Sequence, residues 1–353
     1  MRAPRRRLLQ ALPALAGVAL AAPHARAAQT LRVAPGESLA AALRRARDGD
    51  TVLLLGGVHR AQAGVIEQAR LRVRGEGGAV LLADGAHAEG KALLVVRGGD
   101  VRIEGLAFRG ARVPDGNGAG IRHERGRLVL QGCGFFDNEL GLLTSNDGAA
   151  EIELERCTFA EVPRKATPGY THLLYVGRIA RARVAHCRFG AGRHGHLLKS
   201  RARENLIVGN QLGTVADGGG GASYEIDLPE GGLAEVRGNV LVQGPAGGNA
   251  VMLAFGAEGE GGAPRPHCLQ LLGNSFVQLA GGAGRAVRVH QDRLASAVAV
   301  SARDNLYLGA LQVAPPFDDT AAGNQRAPLA AADIAAGRFT LRGRPAPPGA
   351  QPD

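Results

Sequence analysis

The sequence lacks several features that would indicate common functional classes. It has no tryptophan, only 4% of its 353 residues are aromatic, and no motif interleaves basic with aromatic residues. The usual nucleic-acid-binding modules depend on such motifs, so we do not expect nucleic-acid binding. Beyond the first 27 residues no stretch approaches the roughly 18 apolar residues that a membrane span requires, so no span is predicted.

The first 27 residues are predicted to be an export signal. Three arginines, Arg5 to Arg7, precede an apolar stretch over residues 8–22, and Ala25-Arg26-Ala27 offers a small-x-small cleavage site. The segment 6–10 resembles a twin-arginine signal, although arginine-rich leaders also occur in ordinary secretion. We therefore expect a periplasmic or secreted protein whose mature chain begins at Ala28.

The charge of the chain selects no particular partner. The formal net charge is +10, of which five charges belong to leader arginines, so the mature chain is near +5. A modest positive excess favours polyanions in general.

A short phrase that returns eight times is the main indication of the fold. Each copy consists of an apolar residue, any residue, a second apolar residue and any two residues. One fixed slot follows, then any residue, then a large apolar residue. The fixed slot is Leu106, Cys133, Cys157, Cys187, Asn210, Asn239, Asn274 and Asn305, at intervals of 27, 24, 30, 23, 29, 35 and 31 residues. A nearly constant period with variable insertions is typical of a solenoid.

Each copy of the phrase alternates apolar and polar residues, which predicts a strand. Glycine, with 53 residues, interrupts almost every run and disfavours helices. A repeat of short strands cannot bury its own apolar face, so the copies must stack. The predicted fold is all-β, a right-handed single-stranded parallel β-helix. A β-propeller or a sandwich is the second interpretation, but a propeller blade usually takes about 40 residues or more.

The two ends of the solenoid are predicted to be covered. Residues 37–47 form a predicted amphipathic helix that would cap the amino-terminal end, and the β-helix with this cap is assigned to residues 28–313. Residues 314–353 lose the repeat and gain proline. They are predicted to form a carboxyl-terminal cap, with a helix-like run over 327–336, and then a poorly ordered tail.

Cysteines 133, 157 and 187 are predicted to form one interior column. Export would expose them to an oxidising compartment, where disulfides form. Side chains stacked in parallel rarely reach the disulfide torsion, so we expect free buried thiols. The state of Cys268 is left open.

A second family of strands lies between the repeated phrases. Aligning its paired apolar residues predicts an outward column of Thr144, Tyr175, Lys199 and Asp227 on successive coils. Further polar residues fall on or near the same face: Asn146, His172, His196, Arg201, Arg203 and Glu225. Arg122, His123, Glu124, Arg285, Arg288 and His290 would lengthen this face on coils further away.

The segment 195–210 resembles the lysine-bearing coil of β-helical polysaccharide lyases of the chondroitinase B and alginate lyase type. The residues that carry the resemblance are Lys199-Ser200, Asn205, Ile207 and Asn210. The following segment 223–232, with Asn249 and the turn 255–259, is more similar to a group of exported bacterial right-handed β-helix repeat proteins. Such a lyase is implied to use its lysine to remove the proton α to a uronate carboxylate.

This resemblance implies a catalytic role for Lys199, and the clustering of polar residues around it predicts catalytic roles for Arg201, Tyr175 and His196. Lys199 would be the base, Arg201 or His196 would neutralise the carboxylate or donate a proton, and Tyr175 is an alternative acid or base. His172, Asn146, Glu225, Asp227 and Arg203 are predicted to bind substrate. The next coil presents acids where the lyase pattern has an arginine, and an acid beside Lys199 would raise the pKa of its ammonium group.

Three other interpretations of the same residues stay open. Lys199 and Asp227 could be an ordinary cross-strand ion pair on a solvated sheet. Glu225 and Asp227, two apart on one strand, could be the acid pair of a glycoside hydrolase. The same acids could hold Ca²⁺, although no metal site or other cofactor is predicted.

The sequence therefore predicts a monomeric, exported β-helix that binds an acidic polysaccharide and cleaves it by β-elimination if it is an enzyme. The rival hypothesis is a non-catalytic scaffold of the cell envelope that binds glycan or protein.

Overall fold

The computed structural model describes residues 27–161, 172–190, 192–215, 220–262, 264–279 and 282–329. It is 49% strand and 4% helix, with long stacks of parallel strands. The predicted parallel β-helix is confirmed. The export signal and the last part of the tail lie outside the described residues.

The strands follow one another with few interruptions. In chain order the first sixteen are β1 (Thr30–Val33), β2 (Thr51–Leu54), β3 (Val58–Arg60), β4 (Gly64–Ile66), β5 (Arg70–Gly75), β6 (Val80–Leu82), β7 (Ala92–Glu104), β8 (Ala107–Arg109), β9 (Ala119–Gln131), β10 (Gly134–Phe136), β11 (Leu140–Thr144), β12 (Glu151–Glu155), β13 (Thr158–Ala160), β14 (Leu174–Val176), β15 (Arg181–Ala185) and β16 (Arg188–Phe189). The remaining fourteen are β17 (Leu198–Ser200), β18 (Glu204–Val208), β19 (Gln211–Leu212), β20 (Ile226–Leu228), β21 (Leu233–Arg237), β22 (Val240–Gln243), β23 (Val251–Phe255), β24 (His267–Leu272), β25 (Ser275–Gln278), β26 (Gly284–Val289), β27 (Val298–Arg303), β28 (Leu306–Leu308), β29 (Leu311–Gln312) and β30 (Gln325–Ala327).

These strands form three parallel faces, and each coil contributes one short strand to each face. The first sheet contains β4, the first part of β7 and of β9, then β11, β14, β17, β20, β23, β26 and β29. The second contains β1, β2, β5, the last part of β7 and of β9, then β12, β15, β18, β21, β24 and β27. The third contains β3, β6, β8, β10, β13, β16, β19, β22, β25, β28 and β30.

The repeated phrase builds the interior columns as predicted. Phe108, Phe135, Phe159 and Phe189 stack with ring centroids 4.6–5.1 Å apart. The asparagine slots form a hydrogen-bonded ladder, in which each side-chain amide donates to the next slot's Oδ1 at 2.9–3.0 Å from Asn210 onward. The ladder continues to Asn324, followed by β30. Because the amides satisfy one another, a polar column can lie in the core.

All four cysteines lie within the described residues and are free thiols. Cys133, Cys157 and Cys187 are buried, and the backbone N–H of Cys157 donates to Cys187 Sγ at 3.4 Å. The hydrogen bond with Cys133 lowers the pKa of the Cys157 thiol, but the hydrogen bond with Cys187 and burial together outweigh it and raise the pKa. The predicted free thiol column is confirmed.

The capping helix, α1, spans Leu39–Arg45 and is shorter than the predicted 37–47. It begins there because the Ser38 side chain accepts a hydrogen bond from the Ala41 N–H at 3.2 Å, an N-cap. Its buried face includes Leu43, whose Cδ1 comes so close to Gly64 that a Cβ there would lie 2.5 Å away. A larger residue at position 64 would therefore require the end of the Leu43 side chain to shift. The predicted helix-like run 327–336 begins at the end of β30 and lies mostly outside the described residues.

A 3-10 turn, Gln291–Arg293, precedes β27. Within the described part of the chain no helix has the length and apolarity needed to cross a membrane.

Candidate functional site

The first sheet brings the central predicted residues into one row. Tyr175 pairs with Lys199, and Lys199 pairs with Asp227, on three successive coils. The same row continues to Arg122 on one side and to Arg288 on the other. Parallel strands lie about 4.8 Å apart, so the three central side chains are direct neighbours. The predicted column is confirmed at these three positions.

Thr144 was predicted in this column and is not part of it. Leu143 is the residue that pairs with Tyr175, whereas Thr144 pairs with His123. The Thr144 hydroxyl is buried and accepts a hydrogen bond from the Gly177 N–H at 2.7 Å. Two adjacent leucines cannot fix the register, and a slip by one residue turns a side chain to the other face. His123 likewise faces the interior, where burial lowers the pKa of its imidazole to about 4.

Lys199 is the most enclosed cation of the row. Its side chain is 8% exposed, and its Nζ lies 3.1 Å from Asp227 Oδ2 and 2.6 Å from Glu258 Oε1. Burial alone would lower the pKa of Lys199, but the two carboxylates outweigh burial and raise it. Lys199 therefore stays an ammonium ion, which is the effect expected from an acid on the next coil.

Arg201 joins Lys199 to a second set of acids. Its Nε donates to Tyr175 Oη at 3.1 Å, its Nη1 to Glu230 Oε1 at 2.8 Å and its Nη2 to Glu258 Oε2 at 2.5 Å. Both cations also lie 5.9 Å from the centre of the Tyr175 ring.

Glu230 and Glu258 were not among the predicted site residues. Glu230 is 2% exposed and lies between three arginines, Arg178, Arg201 and Arg265. Glu258 comes from the turn after β23 and is 44% exposed. Both lie in glycine-containing turns that follow a strand, where side-chain direction does not obey strand alternation.

His196 is a neutral ring in this site. Its Nδ1 accepts a hydrogen bond from the Tyr224 N–H at 3.2 Å, so its Nε2 carries the hydrogen that faces Asp227 Oδ2 at 3.3 Å. Burial, aided by His172, Lys199 and Arg201, lowers the pKa of His196 to about 2. The predicted role as a cation that neutralises a carboxylate is therefore wrong.

The predicted substrate residue His172 supports this ring. The centroids of His172 and His196 are 4.8 Å apart, and His172 Nδ1 accepts a hydrogen bond from the His196 N–H at 3.0 Å. Tyr224 stacks on the other side of His196 at 4.8 Å. The two histidines thus hold the coils in register and orient one N–H toward Asp227.

Asp227 is the acid whose titration is most altered within the site. Burial raises the pKa of Asp227 to about 6, although Lys199 opposes this rise. Its Oδ1 has no hydrogen-bond partner among the described residues. A carboxyl group that is partly protonated near neutral pH can act as a general acid or base.

Glu225 was predicted to bind substrate beside Asp227, and the structure contradicts this. The residue is 0% exposed and accepts a hydrogen bond from Gln243 Nε2, in the third sheet, at 3.2 Å. Burial raises the pKa of Glu225 well above its ordinary value. Because β20 begins only at Ile226, Glu225 lies at the bend before the strand, where alternation does not apply. The predicted Glu225–Asp227 hydrolase pair is therefore wrong.

The last two predicted substrate residues lie beside the site. Asn146 is exposed, and its Oδ1 accepts a hydrogen bond from the Arg178 N–H at 2.9 Å. Arg203 is exposed in the turn between β17 and β18, and its carbonyl accepts from the Leu233 N–H. We define the charge cluster as the seven residues that the structure joins: Tyr175, His196, Lys199, Arg201, Asp227, Glu230 and Glu258.

The described residues contain no group of three or more His, Cys, Asp or Glu arranged to hold a metal ion. The carboxylates of the charge cluster point at lysine and arginine instead.

A groove of about 670 Å³ lies on the second sheet, away from the charge cluster. It is lined by charged residues that pair across coils, which we call the ion ladder: Arg127, Glu151, Glu153, Arg181, Arg183, Glu204 and Glu235. Arg127 lies 3.0 Å from Glu153, which lies 3.3 Å from Arg183. These side chains are largely solvated.

Searches of protein-family models, curated proteins and solved structures found no match to this chain.

Proposed function

We propose that the charge cluster binds a carboxylate group of an acidic, uronate-containing polysaccharide. The observation that carries the proposal is that Lys199 and Arg201 each bind one oxygen of a single carboxylate, Glu258, at 2.6 and 2.5 Å. Two cations that converge on both oxygens of one carboxylate form a strong, directional anion site.

The arrangement also supports β-elimination. In that reaction a base removes the proton α to the carboxylate, the C4–O glycosidic bond breaks, and a C4–C5 double bond forms. Lys199 and Arg201, as permanent cations, would stabilise the negative charge that develops on the carboxylate. Lys199 fits this role better than the role of base, because its neighbours raise the pKa of its ammonium group.

Tyr175 is the better candidate for the base. Its Oη accepts a hydrogen bond from Arg201 Nε at 3.1 Å, and Lys199 and Arg201 both lie 5.9 Å from the centre of its ring, so it stands next to the cations that would hold the carboxylate. As phenolate it would take the proton from C5, become neutral, and return the proton to the departing glycosidic oxygen. The cycle then balances without another proton donor.

Glycoside hydrolysis is a second candidate, favoured by one specific observation. Burial raises the pKa of Asp227 to about 6, whereas hydrogen bonds from Lys199 and Arg201 outweigh burial and lower the pKa of Glu258. Both carboxylates contact Lys199 Nζ, at 3.1 Å for Asp227 and 2.6 Å for Glu258, so their contacting oxygens are close together. A protonated acid close to an ionised one is the pattern of retaining hydrolases.

A non-catalytic scaffold is the third candidate. The coil after Lys199 carries Asp227 where the lyase resemblance calls for an arginine. A binding site requires only the cation pair, and the predicted export signal would bring the protein to envelope or extracellular glycans.

The test is to incubate the purified protein with polymers of galacturonate, of mannuronate and guluronate, and of glucuronate with amino sugars. Ultraviolet absorbance from unsaturated uronate ends supports elimination. New reducing ends without that absorbance support hydrolysis. Binding without cleavage supports the scaffold, and no binding to any acidic polymer refutes the proposed function.

A further inference from the structure

Glu258 differs from the other two acids of the charge cluster in its access to solvent. Asp227 and Glu230 are 2% exposed, whereas the Glu258 side chain is 44% exposed. Glu258 is nevertheless the acid that occupies both Lys199 and Arg201 at once.

The backbone that carries Glu258 is fixed. The Glu258 N–H donates to the Pro229 carbonyl at 2.8 Å. Two residues on, Glu260 Oε1 lies 2.6 Å from His267 Nε2 and accepts from the Ala295 N–H at 3.1 Å. The carboxylate of Glu258 can therefore leave the cations by rotation of its own side chain, with no movement of the turn.

Each cation keeps a buried acid when Glu258 leaves. Lys199 retains Asp227 at 3.1 Å, and Arg201 retains Glu230 at 2.8 Å. The positions that open are those of two carboxylate oxygens, 2.6 Å from Nζ and 2.5 Å from Nη2. A carboxylate from outside can take them without any reorganisation of the buried residues.

We infer that Glu258 is an internal competitor that occupies the position of the ligand's carboxylate and must exchange with it. The inference rests on the proposed function and deepens it, because it names a carboxylate as the group recognised and Glu258 as a determinant of affinity. A ligand that binds only when Glu258 has left has an apparent affinity reduced by the fraction of molecules in which it has left.

The experiment compares the full-length wild-type protein with Glu258→Ala and Glu258→Gln. Glu235→Ala is the matched control, since it removes a carboxylate that is 43% exposed from the second sheet. The melting temperature of each is measured in sodium glucuronate and in sodium chloride of equal ionic strength. We expect glucuronate to raise the melting temperature of Glu258→Ala by several degrees more than chloride does, and to leave the wild type and Glu235→Ala unchanged.

A calorimetric titration with uronate oligosaccharides then separates the two claims. The inference predicts about tenfold tighter binding to Glu258→Ala and Glu258→Gln than to the wild type, because their cations are unoccupied. Equal or weaker binding to both variants overturns the inference and leaves the proposed function standing. A glucuronate response in Glu258→Ala, without oligosaccharide binding to any form, supports the exchange and overturns the glycan function. The absence of both responses overturns both.

Discussion

The charge cluster and the ion ladder contain the same kinds of residues on the same coils, and they differ in their access to water. Lys199, Arg201 and Asp227 are between 2 and 13% exposed, whereas Arg127 and Arg183 of the ladder are 47 and 33% exposed. Solvated ion pairs contribute little, and buried ones must satisfy each other completely. Charge is therefore desolvated in a specific arrangement in the charge cluster, and not in the groove on the second sheet.

The largest expected difference is in stability. Glu230→Gln would leave Arg178, Arg201 and Arg265 without their shared acid, and we expect it to lower the free energy of unfolding by about 3–5 kcal/mol. Glu153→Gln, which removes a ladder acid between Arg127 and Arg183, should cost about 0–1 kcal/mol. Urea unfolding of both variants measures this, and equal losses would remove the distinction between the regions.

The second largest difference between the charge cluster and the ion ladder should be in how their variants bind the ligand. Lys199→Met removes one charge-assisted hydrogen bond to the ligand's carboxylate, worth about 1.5–3 kcal/mol, so binding of a uronate oligosaccharide should weaken about tenfold to hundredfold. The matched ladder variant, Arg183→Met, should change the affinity for the oligosaccharide by less than about twofold. Titration calorimetry gives both constants, and a larger effect from Arg183→Met would move the site to the second sheet.

The pH dependence of stability should have opposite signs at Asp227 in the charge cluster and at Glu104 on the second sheet. The pKa of Asp227 is raised to about 6 by burial, so the folded state binds this proton more tightly than the unfolded state does. Its contribution to stability is therefore lost as the pH rises from about 4 to about 6, by about 3 kcal/mol in total. Asp227→Asn should abolish that loss when unfolding is followed between pH 4 and pH 7.

Glu104 of the second sheet supplies the opposite case. Burial would raise the pKa of Glu104, but hydrogen bonds from Arg102 and Arg72 lower it. Its contribution is present above the ordinary glutamate pKa and is lost as the pH falls through its lower, folded-state value. If Glu104→Gln and Asp227→Asn shift the pH profile in the same direction, the electrostatic contrast between these two acids is wrong.

The smallest expected effect is the salt sensitivity of the ladder. A double-mutant cycle on Arg127 and Glu153 should give a coupling energy of about 0.2–1 kcal/mol that vanishes in about 1 M salt, where the Debye length is about 3 Å. The cycle on Arg201 and Glu230 should keep most of its coupling energy at the same salt concentration, because both groups are buried. Equal screening of the two pairs would show that the cluster is solvated.

The repeat in the sequence was sufficient to predict the coil stacking and the row from Tyr175 to Asp227. The asparagine and cysteine slots set the phase of each coil, and strand alternation then fixes which side chains face outward. The prediction failed for Thr144 because neighbouring leucines fit two registers equally well. The prediction for Glu225 failed because this residue precedes the strand, at a bend where strand alternation does not determine the direction of a side chain.

The acids that complete the site could not be predicted in the same way. Glu230 and Glu258 project from turns, and Glu258 reaches Lys199 from a position 59 residues further along the chain. No period in the sequence fixes the direction of a turn side chain. The pKa shifts of Asp227 and His196 depend on burial, which only the packed coils establish.

The most direct test of the central claim changes the ligand and leaves the protein intact. Wild-type protein is titrated with a uronate oligosaccharide and with the same oligosaccharide methyl-esterified at its carboxyl groups, which removes their charge and preserves their size. If Lys199 and Arg201 form a carboxylate site, the acid form binds and the ester loses at least about tenfold in affinity. Equal affinity for acid and ester would contradict the account.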